Sequence, residues 1–147
     1  MSEPGRGPGR VAALDLGSRR IGVAFSDSGR TIASPWGMVE RSGDVAADRA
    51  ALLDVVRQVE ASTVVVGLPL SLSGRTGPAA QAALAEVAAL REVLEPLGVS
   101  VETADERYTT VLAQRSLTAA GRKGNAARGV IDSAAAMVLL QAWLDRA

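Results

Sequence analysis

Residues 63–67 form an uncharged run that contains three consecutive valines. A short, continuous apolar run of β-branched residues is typical of a strand buried on both faces, as in the parallel sheets of α/β proteins. A strand of this kind needs helices above and below it. Patterns typical of amphipathic helices stand on either side, over residues 44–60 and from Pro78 to about residue 97. The chain is therefore predicted to be an α/β protein.

The remaining segments extend this pattern. Residues 11–16 and 21–27 predict a β-hairpin, and a third strand is predicted within residues 31–40, where Pro35 indicates a sheet edge or a bulge. A further strand is predicted at 99–103, followed by helices at 109–120 and 130–146 with a basic loop at 122–129 between them. This order predicts a mixed five-stranded sheet, antiparallel at first and then parallel, with helices on both faces. Residues 1–10 are predicted to be a disordered leader, and residues 11–147 a single domain.

The chain contains neither cysteine nor histidine. This composition excludes disulfides, thiolate or histidine metal ligands, a cysteine nucleophile and a histidine general base. Catalysis by such a chain must rest on carboxylates, hydroxyls, Lys or Arg side chains, or a bound metal ion. The N-terminus lacks the apolar stretch of a signal peptide, and no run is long enough to span a membrane, so a cytoplasmic protein without a membrane partner is expected.

The charges are balanced in number but not in distribution. The chain has 16 Lys and Arg residues and 16 Asp and Glu residues. Residues 86–106 carry six acids and one base, whereas residues 107–131 carry five bases and no acid. This asymmetry is compatible with a polyanionic partner beside a metal site, and equally with a charged surface arranged in blocks.

Acidic residues fall at three informative places. Asp15 ends the first predicted strand, Asp105 and Glu106 follow the last one, and Asp132 lies in an otherwise apolar segment of the last helix. If the first and last strands are parallel, their carboxyl ends meet at one edge, where sites form in open sheets. Converging acids repel one another unless a divalent cation neutralises them, and their oxygens suit Mg²⁺ or Mn²⁺. Two such ions, about 4 Å apart, can activate water and stabilise the leaving oxygen in phosphodiester cleavage.

Each acid also has a purely structural interpretation. Asp15 could accept hydrogen bonds from backbone N–H groups in the turn that follows it. Asp132 could be the N-cap of its helix, or an acid in the first turn that the helix dipole stabilises. Asp105 and Glu106 could pair with Arg107. The spacing of the acids does not by itself decide between these interpretations and metal binding.

Four motifs resemble those of the YqgF/RuvX family, in the same order. Residues 14–24 (LDLGSRRIGVA), followed by Ser26 and Asp27, resemble its opening motif, and residues 65–70 (VVGLPL), followed by Gly74, resemble its second. Residues 105–110 (DERYTT) match the third motif. The C-terminal motif is matched by residues 131–135 (IDSAA) with Leu139, Leu140, Gln141 and Leu144. The resemblance spans residues 11–145.

The resemblance implies an RNase H-like fold, a bacterial protein and a metal-dependent acidic site. Carried over by motif, the metal-binding and catalytic acids would be Asp15, Glu106 and Asp132. Because neighbours on an extended chain face opposite ways, Asp105 is interpreted as the residue that holds the loop, and it remains an alternative ligand to Glu106. Family members are described as nucleases that mature the 5′ end of precursor 16S rRNA, and also as Holliday-junction resolvase-like proteins.

Basic and small residues near these acids are candidate substrate contacts. Arg19 and Arg20 follow Asp15 in the hairpin turn, where a plain solvated turn is the alternative. The loop before Pro78 precedes a helix N-terminus, which favours anions. The remaining candidates lie in that loop or after Glu106, where Thr109 could instead cap its helix; they are Gly74, Arg75, Arg107, Thr109, Thr110, Arg122, Lys123 and Arg128. Trp36 and Trp143 are interpreted as packing or interface residues rather than as platforms for bases.

The function predicted from the sequence is a metal-dependent endonuclease acting on structured nucleic acid, above all precursor rRNA, alone or on a ribosomal particle. The chain is expected to be a monomer or a homodimer. The alternative enzymatic activity is cleavage of four-way DNA junctions. This activity requires a symmetric dimer because two strands are cut. A non-catalytic nucleic-acid-binding or ribosome-assembly module is a further alternative. Residues 15–17 also resemble the first phosphate motif of actin-like ATPases, but those folds need two such domains and this chain supplies one.

Overall fold

The structure, a computed structural model, describes residues 9–69, 77–105 and 125–146, and within the last range it describes side chains from residue 133 onward. Five strands and three α-helices make up this part of the chain. They are β1 (Arg10–Leu16), β2 (Arg20–Ser26), β3 (Ala33–Glu40), α1 (Val45–Gln58), β4 (Ala61–Leu68), α2 (Pro78–Leu94), β5 (Ser100–Asp105) and α3 (Asn125–Asp145), with a short 3-10 helix, Glu95–Leu97, after α2.

The strands form one mixed sheet in the order β3-β2-β1-β4-β5. The pairs β1–β2 and β2–β3 are antiparallel, whereas β4 lies parallel to both β1 and β5. The predicted five-stranded sheet is therefore confirmed. Pro35 indicated an edge or a bulge, and both are present: β3 is an edge strand, and its pairing with β2 shifts register between Val23 and Ala24.

Helices cover both faces of the sheet, as predicted. Both α1 and α2 pack on the face that carries Leu14 and Val66, and α3 packs on the face that carries Ala13 and Val65. These alternating residues are fully or almost fully buried, which explains the continuous apolar run of β4. No helix in the described ranges is long and apolar enough to cross a membrane.

The helix boundaries follow from local chemistry. The Asp44 side chain accepts hydrogen bonds from the N–H groups of Ala46 and Ala47 and so caps α1. Pro78 occupies the first turn of α2, where its missing N–H costs no hydrogen bond. The predicted end of α2 near residue 97 corresponds to the 3-10 turn, which closes at Gly98 with φ of 85°.

The last helix begins earlier than predicted. Residues 122–129 were expected to form a loop, but α3 starts at Asn125 and includes Arg128 and Gly129. Glycine costs a helix about 1 kcal/mol relative to alanine, a penalty that helix-forming neighbours and packing on the sheet offset. The predicted helix at 109–120 and residues 1–8 of the predicted leader lie outside the described residues. The prediction that the leader extends to residue 10 is wrong, because Arg10 begins β1 and Gly9 N donates a hydrogen bond to Ser28 O.

Candidate active site

Asp15 lies near the carboxyl end of the central strand β1 and is only 6% exposed. In the neighbouring strand it pairs with Gly22. On its other side, one residue beyond the last β1–β4 pair, is Gly67, which in turn pairs with Ala104 of β5. The residues on either side of Asp15 are thus glycines, and the row continues to Ala104 on β5 and to Met38 on the edge strand β3. In this row the carboxylate of Asp15 is the single polar side chain, and its immediate neighbours in the sheet have no side chain.

The alternation of side chains defines the face that Asp15 occupies. Ala13 packs against α3, so Asp15, two positions further on, extends from the same face. On β5, Val101 packs with α1 and α2, so Asp105, four positions further on, starts from the opposite face. Because β1 and β5 are both parallel to β4, their carboxyl ends meet at one edge of the sheet, but alternation along the strands starts these two side chains on opposite faces.

Helix α3 crosses the sheet with its N-terminal part toward this edge and its C-terminus at the other end. Near its C-terminus the Gln141 amide accepts a hydrogen bond from Ala33 N (2.9 Å) and donates one to Thr31 O (3.0 Å), at the start of β3. Ala136 packs on the sheet beside Ala13. Earlier residues of the helix therefore lie progressively closer to the level of Asp15. Asp132 stands one turn before Ala136 in this helix.

Ser133 supplies a further polar atom on this side of the sheet. Its side chain is 5% exposed, and its Oγ has no hydrogen-bond partner in the part of the chain that the structure describes. A buried hydroxyl ordinarily bonds to protein or to an ordered water. Ser133 and Asp15 together therefore indicate a polar environment between α3 and the sheet. A carboxylate and a hydroxyl are hard oxygen donors, which fit Mg²⁺ or Mn²⁺ and their bound waters.

The turn that follows Asp15 depends on glycine. Gly17 N donates to Arg20 O at 2.9 Å, which closes the turn. A Cβ atom at residue 17 would stand 2.5 Å from the same carbonyl oxygen, well inside van der Waals contact. Gly17 O accepts a hydrogen bond of 2.7 Å from Arg41 Nε. Arg41 was missed at the level of sequence because its only signal is a single arginine after the third strand, 24 residues from its partner.

Two of the predicted substrate contacts lie in this turn. Arg19 is exposed, whereas the Arg20 side chain is 20% exposed and lies 3.9 Å from Glu40 Oε1. Within the described ranges Arg20 Nε has no hydrogen-bond partner. A cavity of about 500 Å³ opens between this turn and the start of α1. Its lining residues are Ser18, Arg19, Arg20, Glu40, Arg41, Gly43, Val45 and Asp48.

The end of the opening motif has a structural role. Ser26 is fully buried, and its Oγ accepts a hydrogen bond of 2.9 Å from Val11 N at the start of β1. Asp27 accepts bonds from Thr31 N, Thr31 Oγ1 and Ile32 N at 2.8 to 2.9 Å, which closes the β2–β3 turn. Both residues lie at the end of the sheet opposite Asp15, so the structure does not bring them to the candidate site.

The hydrogen bonds to the charged form of Asp27, first those from Ile32 N and Thr31 N, lower its pKa to about 2. A depressed pKa means that Asp27 stabilises the fold above its ordinary pKa of 3.8 and that this contribution disappears as the pH falls toward 2. We expect Asp27→Asn to unfold at lower urea concentration than wild type at pH 6, and the difference to narrow by pH 3. If the difference in urea midpoint between the two proteins is the same at pH 6 and pH 3, the Asp27 carboxylate does not stabilise the fold in this way.

Most of the other predicted site residues lie outside the described part of the chain. Among the described residues, no group of three acids is placed to hold a metal ion. Of the three predicted metal ligands, Asp15 alone has a described side chain, and Asp132 is placed by its backbone only. Arg128 likewise is placed in α3 without a described side chain. The predictions outside the described residues are Glu106, Gly74, Arg75, Arg107, Thr109, Thr110, Arg122 and Lys123.

The two tryptophans have different environments. Trp143 packs against the cluster between α3 and the sheet, with the guanidinium carbons of Arg146 and Arg30 at 4.6 and 6.0 Å from its ring centroid. It agrees with the packing role expected from the sequence. Trp36 lies on the edge strand β3 and is 37% exposed. It is thus a surface residue of the described structure rather than part of its core.

Comparison with known proteins gives a consistent result. The model of the RuvX family, described as Holliday junction resolvase, matches residues 9–146. A protein of Mycobacterium ulcerans (strain Agy99) is 47% identical over 146 residues, which cover 98% of this chain and 83% of that protein. A protein of Nocardia farcinica (strain IFM 10152) is 44% identical over 149 residues, covering 98% of this chain and 81% of that protein. Both carry the name "Putative pre-16S rRNA nuclease".

Solved structures share the architecture at low identity. RuvC of T. thermophilus, in complex with Holliday junction substrate, has a TM-score of 0.57 and 19% identity over 93% of this chain and 94% of that chain. The yeast mitochondrial Holliday junction resolvase Ydc2 has a TM-score of 0.59 and 12% identity over 97% of this chain and 80% of that chain. At such identities the likeness concerns the fold. The chain therefore belongs to the RuvX family and adopts the RNase H-like fold of the Holliday junction resolvases.

Proposed function

We propose that this protein is a metal-dependent endonuclease that hydrolyses phosphodiester bonds in the 5′-end maturation of precursor 16S rRNA. The observation that carries the proposal is the placement of Asp15. This buried carboxylate belongs to the opening family motif and stands at the carboxyl end of the central strand, between Gly22 of β2 and Gly67 of β4. Carboxylate oxygens are hard donors of the kind that Mg²⁺ and Mn²⁺ prefer.

The metal would be held by Asp15, Glu106 and Asp132. Two features of the described residues support this set. Asp105 starts from the face of the sheet opposite Asp15, which favours its neighbour Glu106 as the ligand and leaves Asp105 to the loop. Helix α3 has its N-terminal part toward the Asp15 edge, with Asp132 one turn before the packed Ala136. Mg²⁺ or Mn²⁺ bound there supplies charge that neutralises the phosphodiester and favours deprotonation of the attacking water.

The protein's own residues bind and orient the nucleic acid. Arg19 and Arg20 lie in the turn directly after Asp15, and their guanidinium groups suit phosphate oxygens. Further contacts to the sugar-phosphate backbone of the nucleic acid are assigned to basic, small and hydroxyl-bearing residues, most of which lie after Glu106. They are Gly74, Arg75, Arg107, Thr109, Thr110, Arg122, Lys123 and Arg128. We place this activity in the bacterial cytoplasm, where precursor rRNA is processed, with a ribosomal particle as the partner and a monomer or homodimer as the working form.

Resolution of four-way DNA junctions is the second candidate, because the family model is described as Holliday junction resolvase and RuvC shares the fold. Two strands are cut at a junction, so this activity requires two copies of the chain arranged symmetrically. Precursor rRNA is preferred because the relatives at 44% to 47% identity are named for it.

A direct comparison of substrates tests the proposal. Purified protein is incubated with a precursor 16S rRNA 5′-leader and with a four-way DNA junction, each with Mg²⁺, Mn²⁺ or EDTA, and with and without ribosomal particles. We expect cleavage of the RNA that EDTA abolishes. Cleavage of the junction alone would transfer the function to DNA, and metal binding without cleavage of either substrate would indicate a non-catalytic assembly factor.

A further inference from the structure

Arg41, the residue directly after β3, contacts the turn that follows Asp15 through two groups. Its side-chain Nε donates to Gly17 O at 2.7 Å, and its backbone N donates to Arg19 O at 2.9 Å. The turn's own hydrogen bond, between Gly17 N and Arg20 O, closes the turn but does not tie it to the rest of the molecule. Arg41 therefore connects the Asp15 turn to a second part of the structure.

The same guanidinium reaches helix α2. Its terminal nitrogen donates to Glu86 Oε1 at 2.9 Å, and the two side chains are only 24% and 35% exposed. Charge-assisted hydrogen bonds of this length are roughly twice as strong as neutral ones. One planar group thus spans two acceptors, a carbonyl in the Asp15 turn and a carboxylate on a helix 45 residues away in the chain.

The backbone of Arg41 is itself anchored. The next residue, Ser42, donates from its N–H and its hydroxyl to Asp48 Oδ1, at 2.9 and 2.7 Å, in the first turn of α1. These bonds, together with the charge of Arg41, lower the pKa of the Asp48 carboxyl. Arg41 is therefore held by α1 through its own chain and by α2 through Glu86, which makes it a rigid support for the turn.

We propose that Arg41, oriented by Glu86, is a positioning residue that sets the place of the Asp15 turn and thereby the affinity of the site for its divalent cation. The proposal rests on the proposed role of Asp15 as a metal ligand. Removal of residues that orient a metal ligand costs about 10- to 100-fold in metal affinity or activity. Arg41 acts through Gly17 and Asp15, so the expected defect lies in metal binding and turnover rather than in substrate affinity.

Three variants test this role. Arg41→Met removes both side-chain bonds, Arg41→Lys keeps the charge but cannot span both acceptors, and Glu86→Gln keeps an acceptor without its charge. Glu102→Gln is the matched control, because Glu102 pairs with Arg146 at 3.5 Å with side chains 46% and 60% exposed. The readouts are Mn²⁺ affinity by calorimetry without substrate, hydrogen exchange at the Gly17 amide, and the separate values of kcat and KM.

We expect Arg41→Met and Arg41→Lys to weaken Mn²⁺ binding and lower kcat by about 10- to 100-fold, with faster exchange at Gly17. Glu86→Gln is expected to weaken Mn²⁺ binding and lower kcat as well, but by a smaller factor. If Arg41→Met does not fold, Glu86→Gln tests whether the Arg41 side chain positions the turn. Glu102→Gln is expected to match wild type.

Wild-type Mn²⁺ affinity and kcat in Arg41→Lys would overturn the proposal. They would mean that a positive charge at residue 41 suffices without the hydrogen bonds that the guanidinium makes to both Gly17 O and Glu86. A rise in KM alone, at wild-type Mn²⁺ affinity, would also overturn it by making Arg41 a substrate contact. Wild type and Asp15→Asn separate the two proposals: without metal-dependent cleavage by wild type the proposed function fails, and if Asp15→Asn keeps wild-type turnover, Asp15 is not a metal ligand and Arg41 has no ligand to position. If Asp15→Asn loses turnover while the Arg41 variants behave as wild type, only the role of Arg41 fails.

Discussion

Asp15→Asn is expected to lower the rate of metal-dependent cleavage by about 1000-fold or more. Asn has the shape of Asp but lacks the negative charge that holds a divalent cation, and metal ions supply several kcal/mol of transition-state stabilisation. Each 1.36 kcal/mol corresponds to a factor of about ten in rate. The measurement is single-turnover cleavage of the precursor 16S rRNA leader with Mg²⁺ and with Mn²⁺.

Thermal unfolding distinguishes a loss of cleavage caused by lost metal binding from one caused by an unfolded protein. A ligand that binds only the folded state raises the melting temperature, so Mn²⁺ is expected to stabilise wild type but not Asp15→Asn. In EDTA the two proteins are expected to melt within a few degrees of each other. Asp54→Asn, on the exposed side of α1, is the control and is expected to cleave and respond to Mn²⁺ as wild type does. Equal cleavage by Asp15→Asn and wild type would remove Asp15 from the site.

Gly17→Ala is expected to lower cleavage by about 10- to 100-fold, because small displacements of a positioned group have effects of this size. The added Cβ would stand 2.5 Å from Arg20 O, a backbone atom that already accepts the Gly17 N–H bond and cannot rotate away. The turn must therefore open and carry the chain next to Asp15 with it. Such overpacking typically destabilises a fold by about 1 to 3 kcal/mol.

Urea denaturation and the cleavage assay together check this expectation. Gly77→Ala is the stability control, because Gly77 has φ of −81° and no heavy atom of the described residues lies within 4 Å of the position of an added Cβ. Because Gly77 is the N-cap of α2, where alanine is less favourable than glycine, the variant is expected to lose no more than about 1 kcal/mol of unfolding free energy. Wild-type stability and wild-type cleavage in Gly17→Ala would show that the turn tolerates a side chain and that its geometry does not position Asp15.

The order of the described strands and helices was predictable because it depends on local patterns. The valine run of β4 required cover on both faces, and Asp44 and Pro78 marked the starts of α1 and α2. Pro35 indicated an edge or a bulge, since proline cannot donate to a sheet ladder, and β3 has both features. The error at the start of α3 has the opposite cause: Gly129 is a helix breaker by local propensity, but packing on the sheet decides whether its cost is tolerated.

Part of the candidate site was also predictable. The motif around Asp15 identified the acid, the glycine turn and the arginines after it. The motif by itself does not distinguish its two ends, because Ser26 and Asp27 are close to Asp15 in sequence although they lie at the opposite end of the hairpin. Only the pairing of β1 with β2 separates them.

The amino-acid sequence by itself determined the fold class, the chemistry open to a chain without cysteine and histidine, and the acid around which a site can form. Those properties follow from residue type and from spacing over a few positions. The tertiary structure decided which glycines flank Asp15 across the sheet, that Asp105 starts from the opposite face, and that Arg41 joins the Asp15 turn to Glu86. These contacts join residues far apart in the chain, and only the packing of strands and helices brings such residues together.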